Sequence, residues 1–385
     1  MNVKRVLIVA GEASGDAHGA ALVRALSRLR PQWRFYGMGG ERLRGVGVQC
    51  LYRLEDVSVV GLVEVASRAR AVFSAFRGLR AALRERPDLV ILIDFPDFNL
   101  RLAKYAHRLS IPVVYYVSPQ VWAWRRWRLR LIRRVVDKML VLFPFEAEIY
   151  RNVGVPVDYV GHPLIDEIPP PELCPTPRTE AERALSGPRI ALLPGSRLSE
   201  VTLILPAFLE AARALRKSDP RATFLLVQAS TFPPDVLQKR VDDAELNGTV
   251  ECIANEKPWW NGVDLAWVAS GTATLETALR GVPLIAAYRV RPLTYLIGRL
   301  LIRVSHISLV NLMASRRLVP ELIQHDLTSA GLVRRTRELL ADPVRLQIMR
   351  AGFREIWDCL AIDGTAAETA ARAVLSVADT AEVSS

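Results

Sequence analysis

Two short stretches in the first hundred residues gather carboxylates beside glycine and proline. "AGEASGD", residues 10–16, follows the apolar run 6–10 and carries Glu12, Ser14 and Asp16. "IDFPDFN", residues 93–99, closes a second apolar run and carries Asp94 and Asp97. A strand, a glycine loop and an Ala-rich helix in succession normally build a phosphate cradle, because the helix N-terminus offers free amides. Glu12 and Asp16 would repel a phosphate from that place. A carboxylate at a strand end suits a different task, taking the proton of an attacking hydroxyl. Asp94 ends its strand and is the candidate general base. Glu12 is the candidate to orient the substrate or Asp94, Ser14 and Asp16 belong to the same acceptor side, and Asp97 is an alternative that can equally cap the next helix.

The second half carries loops of the opposite character. In "LLPGSRLSE", residues 192–200, a strand ends at Pro194, Gly195 lets backbone amides approach a ligand beside Ser196, and Arg197 offers a forked donor suited to phosphate. In "LAWVASGTATLE", residues 265–276, Ser270, Gly271 and Thr272 form a turn into a helix whose free amides face outward. Glu276 lies one helical turn in, where a carboxylate can accept the hydroxyls of a ribose. Arg289, just past the next strand, is a further phosphate donor or a solvated surface residue. Each loop alone also reads as an ordinary turn with a Ser/Thr cap. Two in one domain, one with Arg and one with Glu, favour a nucleotide diphosphate.

These loops need sheets to hold them. At 385 residues the chain is long for one core and reads as two domains. Continuous apolar runs at 6–10, 34–38, 89–94, 113–117, 139–143 and 158–161 predict parallel strands covered on both faces. The pattern resumes at 189–193, 223–228, 250–253, 264–269 and 283–286, with helical stretches between. Between the two series lies a stretch with seven of the chain's 24 prolines, read as a linker. The expected organisation is α/β: a Rossmann-like domain over 1–165 that carries the carboxylate loops, a Pro-rich linker over 166–188, a Rossmann-like nucleotide-binding domain over 189–345, and C-terminal helices over 346–385. Two doubly wound halves would face a ligand cleft. The last helices would pack back on the first domain or on a partner's, which leaves room for a homodimer.

Composition narrows the class. Half the residues are hydrophobic and 24% are charged, as in an ordered globular protein. Four cysteines far apart in sequence suit neither a disulfide framework nor a zinc site. Neither a signal peptide nor a spanning apolar run is apparent, so a cytoplasmic location is expected. The net charge of +11 is one-sided: residues 1–163 hold 26 Lys and Arg against 14 Asp and Glu, the remainder 25 against 26. A polyanionic partner would therefore meet the first half. Residues 122–134 hold six arginines and three tryptophans without one acid, a composition suited to an anionic lipid surface or to nucleic acid. The apolar stretch 59–76, with Leu62, Phe73 and Phe76 at helical spacing, is either a buried helix or one that lies in a bilayer interface. The second reading makes membrane attraction more economical than nucleic-acid binding. A second basic amphipathic stretch, 291–309, reads as a core helix or as a shelter for acyl chains. His162, in "GHPL", marks the end of the first half and is a substrate-contact candidate, whereas His18, His107 and His325 read as surface or capping residues.

Nine stretches in order carry a resemblance: "AGEASGD", "IDFPDFN", "YVSPQVWAWR", "FPFE", "GHPL", "LLPGSR", "SGTATLE", "YRVRPLTY" and "SLVNLM". From about residue 6 to residue 321 the chain resembles the lipid-A-disaccharide synthases, inverting glycosyltransferases of the GT-B fold. The resemblance implies that the sugar of UDP-2,3-diacylglucosamine passes to the 6-hydroxyl of 2,3-diacylglucosamine 1-phosphate. The products would be a β-1,6-linked disaccharide 1-phosphate and UDP, made at the inner face of the inner membrane. It also matches Asp94 to the motif's first Asp and puts Asn311, in "SLVNL", near the nucleotide. No Asp-x-Asp triplet occurs, so neither metal nor cofactor is expected, and fixed groups such as Arg197 would neutralise the leaving diphosphate. Two rival readings stay open. One is another GT-B nucleotide-sugar enzyme, such as a UDP-N-acetylglucosamine 2-epimerase. The other is a non-catalytic membrane- or nucleic-acid-binding protein, which leaves the paired carboxylate loops without a task.

Overall fold

The computed structural model of the chain describes residues 3–57, 65–123, 125–170, 178–229, 232–233, 235–301 and 305–383. It divides into two compact units, Met1–Glu167 with Leu360–Ser385, and Ile168–Cys359. Each is built on a wholly parallel sheet with helices on both faces.

In the first unit the strands are β1 (Arg5–Ala10), β2 (Arg34–Gly39), β3 (Gln49–Arg53), β4 (Leu89–Ile93), β5 (Val113–Tyr116), β6 (Lys138–Val141) and β7 (Val157–Tyr159). Their order is β3-β2-β1-β4-β5-β6-β7. The central strands explain the apolar runs: Val6 to Ala10 and Leu89 to Ile93 are wholly buried, because helices cover both faces. β3 escaped the sequence pattern. It is an edge strand whose residues alternate between exposed and half-buried, with no continuous apolar run to announce it.

The second unit holds β8 (Arg189–Leu193), β9 (Thr223–Gln228), β10 (Val250–Ala254), β11 (Leu265–Ala269), β12 (Leu284–Tyr288) and β13 (Glu321–Ile323), in the order β10-β9-β8-β11-β12-β13. At its centre Trp267 is fully buried against Phe208 and Phe224. The indole Nε1 donates to Thr336 Oγ1 at 3.0 Å, which gives the buried polar atom its partner.

Two features differ from the boundaries read in the sequence. Residues 178–186 are no free linker: Thr179 caps the helix Glu180–Ser186, and Arg178 pairs with the buried Asp264 of the second unit at 2.8 Å. The stretch 346–385 is also shared out. Helix Pro343–Leu360 lies almost wholly in the second unit, whereas helix Ala366–Val383 packs on helix Ala13–Leu29 of the first. Ala370, Ala371, Val374 and Ala378 join Leu22, Val23 and Leu26 in one core, small side chains allowing the helices a close approach. Lys4 Nζ adds a hydrogen bond to the Ala378 carbonyl at 2.8 Å.

Candidate active site

In each sheet the strand order reverses direction once, between β1 and β4 and between β8 and β11. The loops leaving such paired strands diverge to opposite faces and open a crevice at the carboxyl edge, where doubly wound sheets bind ligands. Those four loops are the ones that carry the candidate residues.

In the first unit Ala10 pairs with Ile93, so Gly11-Glu12 and Asp94-Phe95 leave the sheet side by side. Asp94 and Phe95 both adopt φ of 47°, a left-handed pair without glycine. This conformation costs roughly 1–2 kcal/mol per residue, so the surroundings must impose it. They do. The Asp94 carbonyl accepts from Tyr115 OH at 2.6 Å and from Asn99 Nδ2 at 2.8 Å, both residues being buried. The Asp94 amide donates to the Tyr116 carbonyl at 3.0 Å. The Phe95 ring packs so closely on Gly11 that a Cβ there would lie 2.2 Å from it, and only glycine fits. The elbow holds Asp94 at the strand end on a rigid backbone. Tyr115 and Asn99 carried no signal of their own in the sequence.

The other carboxylates separate by role. Glu12 is exposed at the N-cap of helix Ala13–Leu29 and makes no capping bond. Ser14 is exposed beside it. Asp16, read as an acceptor-side residue, is instead buried and accepts from the amides of Gly40, Arg42 and Leu43 at 2.6, 2.9 and 3.3 Å. Both its oxygens cap the short helix Glu41–Gly45 and are spent on structure. Asp97 lies in the first turn of helix Pro96–Arg108, where Arg125 binds it at 2.9 Å and Arg128 pairs with it as well. That pairing draws the basic Trp/Arg segment toward the Asp94 elbow.

His162 is buried, lies tilted against Phe143 with ring centres 5.1 Å apart, and accepts from the Leu164 amide through Nδ1. Burial, with His18 nearby, depresses its pKa to about 3, so the ring is neutral. His18 is no surface residue: it is half-buried against Tyr116 at 6.1 Å, and burial lowers its pKa too. Glu146 closes the "FPFE" stretch, to which the sequence alone assigns no chemical role. It is buried at the same carboxyl edge, and desolvation raises its pKa to about 8.

In the second unit Leu193 pairs with Val268, so the Gly195 and Gly271 loops are neighbours. Gly195 adopts φ of 110° with Glu200 against its Cα. Ser196 is exposed, and Arg197 extends with 70% of its side chain in solvent, its one ion pair among the described residues being Glu200 at 3.3 Å. Gly271 is the N-cap of helix Thr272–Leu279, with nothing within 4 Å of where a Cβ would be. Its helix amides and the exposed Thr272 face that open space, an arrangement suited to an anion. Ser270 Oγ donates to the Ile307 carbonyl at 3.0 Å and ties this loop to the "SLVNL" segment.

Two second-unit candidates, Arg289 and Asn311, are committed elsewhere, and a third, Glu276, is partnered within its own helix. Arg289 spends its guanidinium on backbone carbonyls: Nη1 on Leu203 at 3.3 Å, Nε on Gln324 at 3.4 Å, and Nη2 on Gln324 and Leu327. It stitches β12 to the turn after β13 and leaves no fork for phosphate. Asn311 is wholly buried and saturated. Its Nδ2 donates to Val319 O and Glu321 Oε1, both at 2.9 Å, and its Oδ1 accepts from the amides of Leu318 and Val319 at 2.8 and 2.9 Å. An Asn side chain has two donors and two acceptor sites, so none remains for a nucleotide. Glu276 pairs with Arg280 at 3.1 Å, and Arg280 stacks on Trp260.

The membrane candidates divide as well. Leu62 lies outside the described residues. Phe76 turns inward, edge-on to Phe98 at 5.4 Å and to Tyr105 at 5.9 Å, and belongs to the core. Phe73 is 62% exposed and Trp127 65% exposed. Among the described residues no helix is long and apolar enough to cross a membrane.

Comparison with known proteins agrees with this architecture. The family profile described as Lipid-A-disaccharide synthetase matches residues 6–362. A Lipid-A-disaccharide synthase of Myxococcus xanthus is 42% identical over 378 residues, covering 98% of each chain. One of Syntrophus aciditrophicus is 44% identical, covering 97% of this chain and 98% of its own. Among solved structures, the calicheamicin glycosyltransferase superposes with a TM-score of 0.59 at 16% identity, covering 98% of each chain. The UDP-GlcNAc 2-epimerase of Neisseria meningitidis bound to UDP-GlcNAc does so with 0.58 at 11% identity, covering 98% of this chain and 100% of that one. These likenesses place the fold among GT-B enzymes. With the profile matched over residues 6–362 and its relatives aligned almost end to end, the chain belongs to the lipid-A-disaccharide synthetase family.

Proposed function

We propose that this glycosyltransferase of lipid A biosynthesis moves 2,3-diacylglucosamine from its UDP form to the 6-hydroxyl of 2,3-diacylglucosamine 1-phosphate. The products are the β-1,6-linked disaccharide 1-phosphate and UDP, and transfer inverts the anomeric centre without a metal. The observation that carries the reading is the Asp94 elbow, a strained, hydrogen-bonded turn that fixes a carboxylate at the switch point of the first sheet. Asp94 takes the proton of the acceptor hydroxyl as its oxygen attacks the anomeric carbon. Glu12, exposed on the neighbouring loop, orients the acceptor. In the second unit Arg197 and the amides around Gly271-Thr272 hold the diphosphate and stabilise the charge that develops as UDP leaves. Glu276 keeps the ribose role, with Arg280 fixing its carboxylate.

The basic first half, with Phe73 and Trp127 outermost, supports attachment to the anionic inner face of the inner membrane. Lipid substrates would be met there. The test is a mass-spectrometric transfer assay with purified protein, both diacylated sugars, detergent and EDTA. A disaccharide 1-phosphate of β configuration supports the reading. UDP-N-acetylglucosamine epimerisation, or no product at all, overturns it.

A further inference from the structure

The loop that follows β5, described over residues 117–123 and 125–127, leaves the sheet beside the Asp94 elbow, because Ile93 of β4 pairs with Tyr116 of β5. Its backbone is strained. Val117 has φ of 65° and Arg125 of 54°. A β-branched residue takes the left-handed region only when its surroundings impose it. With Asp94 and Phe95, four of the nine such non-glycine residues among those described gather at this one edge.

The groups that restrain the loop converge on Glu146. Trp122 Nε1 donates to Glu146 Oε1 at 3.2 Å, and the Phe143 amide donates to Oε2 at 3.3 Å. Ser118 Oγ lies 2.8 Å from Tyr150 OH and donates to the Pro119 carbonyl. The Trp122 ring meets Phe145 edge-on at 5.6 Å. At the far end Arg125 and Arg128 hold Asp97.

Among the described residues no Lys, Arg or His pairs with Glu146. It faces Trp122 and Ser118 from the loop, the Phe143 and Leu142 backbone from the end of β6, and Tyr150 from its own helix. Tyr150 is kept protonated by burial, and His162, beyond Phe143, is neutral. With no compensating cation the carboxyl keeps its proton until about pH 8. Burial shuts water out of this site and so favours the neutral acid, whereas a bare carboxylate there draws in water and loosens what packs on it.

We propose that Glu146 is a positioning residue for the acceptor side of the reaction: its carboxyl group clamps Trp122, and through it the strained loop rooted at the Asp94 elbow. The link to the base is short, since Tyr115, two residues before Val117, donates to the Asp94 carbonyl. The inference rests on Asp94 acting as base. It adds a pH-gated support to that site.

Steady-state turnover of the wild type, E146Q, E146A and W122F from about pH 6 to about pH 10 tests it, with UDP affinity measured in parallel. The wild type should lose turnover as pH rises through about 8. E146Q, neutral at every pH and able to accept from Trp122 through its one amide oxygen, should stay within about threefold of wild-type turnover near pH 7 and lack that alkaline fall; E146A should lose about 10- to 100-fold in kcat at unchanged UDP affinity. W122F should fall between them. The infrared difference of wild type minus E146Q should show a protonated-carboxyl band near neutral pH that vanishes in alkali. An alkaline limb shared by E146Q and the wild type, full turnover in E146A, or absence of the band overturns the proposal. A change confined to melting temperature also overturns it, by making Glu146 a helix cap alone. Failure of the reaction assigned above would look different: no transfer by the wild type, with the band still present.

Discussion

Replacing Asn311 by Ala separates two accounts of a residue that the family resemblance puts near the nucleotide. In the structure its amide makes four hydrogen bonds with zero exposure. Truncation strands the amides of Leu318 and Val319, the Val319 carbonyl and one bond to the Glu321 carboxylate. A neutral hydrogen bond contributes about 1 kcal/mol and one to a charged group about 1.5–3 kcal/mol. Water entering the vacated space recovers a part, which leaves a net loss of about 3–5 kcal/mol, in the upper tail for single substitutions. For a unit of this size 1 kcal/mol moves the melting temperature by about 2–4 °C, so a fall of roughly 6–20 °C is expected. Scanning calorimetry of wild type and Asn311→Ala, each with and without saturating UDP, is the assay. Glu321 also accepts from Ser308 and the Ile307 amide, and Ser270 bonds the Ile307 carbonyl, so UDP affinity should fall only as this loop loosens. A variant that melts like the wild type yet no longer binds UDP would refute the reasoning and return Asn311 to the nucleotide.

Further outcomes follow from the same geometry. Asp94→Asn should lower turnover about 10²- to 10⁴-fold with UDP affinity and melting temperature nearly unchanged, and a variant of near wild-type turnover would move the base to Glu12. Arg197→Ala should weaken UDP binding about 10- to 150-fold by calorimetry, since it deletes one charge-assisted donor. Phe73→Ser should reduce the salt-insensitive part of binding to anionic vesicles in a sedimentation assay, whereas Phe76→Ser should act on melting temperature through the core. His162 has a depressed folded pKa of about 3 against an ordinary value near 6.5, so the unfolded chain binds the extra proton first. Stability therefore falls as pH drops below about 6.5 and continues to fall toward about 3; His162→Gln should flatten that acid slope in denaturant titrations.

How much could be read in advance depends on where each property is encoded. The sequence by itself determined the secondary pattern and the fold class. Runs such as 6–10, 89–93 and 265–269 are apolar throughout because a parallel strand buried on both faces has no polar position, and that signal is local. The turn residues are local too: Gly11, Gly195 and Gly271 are where backbone must pass closely or turn, so the loops that leave the switch points were legible without coordinates. Edge strands β3 and β13 were not, since a short strand with one covered side has no run to display.

The tertiary structure decided what each polar side chain is spent on. Asp16 and Glu12 lie four residues apart, in the first turn and at the N-cap of one helix, yet Gly40, Arg42 and Leu43 arrive from another element and consume only Asp16. Arg197 and Arg289 look alike as phosphate donors until carbonyls of Leu203, Gln324 and Leu327 surround the second. Asn311 is saturated by residues seven to ten positions downstream, folded back by a turn. Glu146 becomes a neutral acid because burial strips it of water and no cation compensates, an effect that outweighs the opposing hydrogen bonds from Phe143, Trp122 and Ser118. A side chain's type states what it can bond to, while its burial and partners are set by segments remote in sequence, and those set its charge and its use.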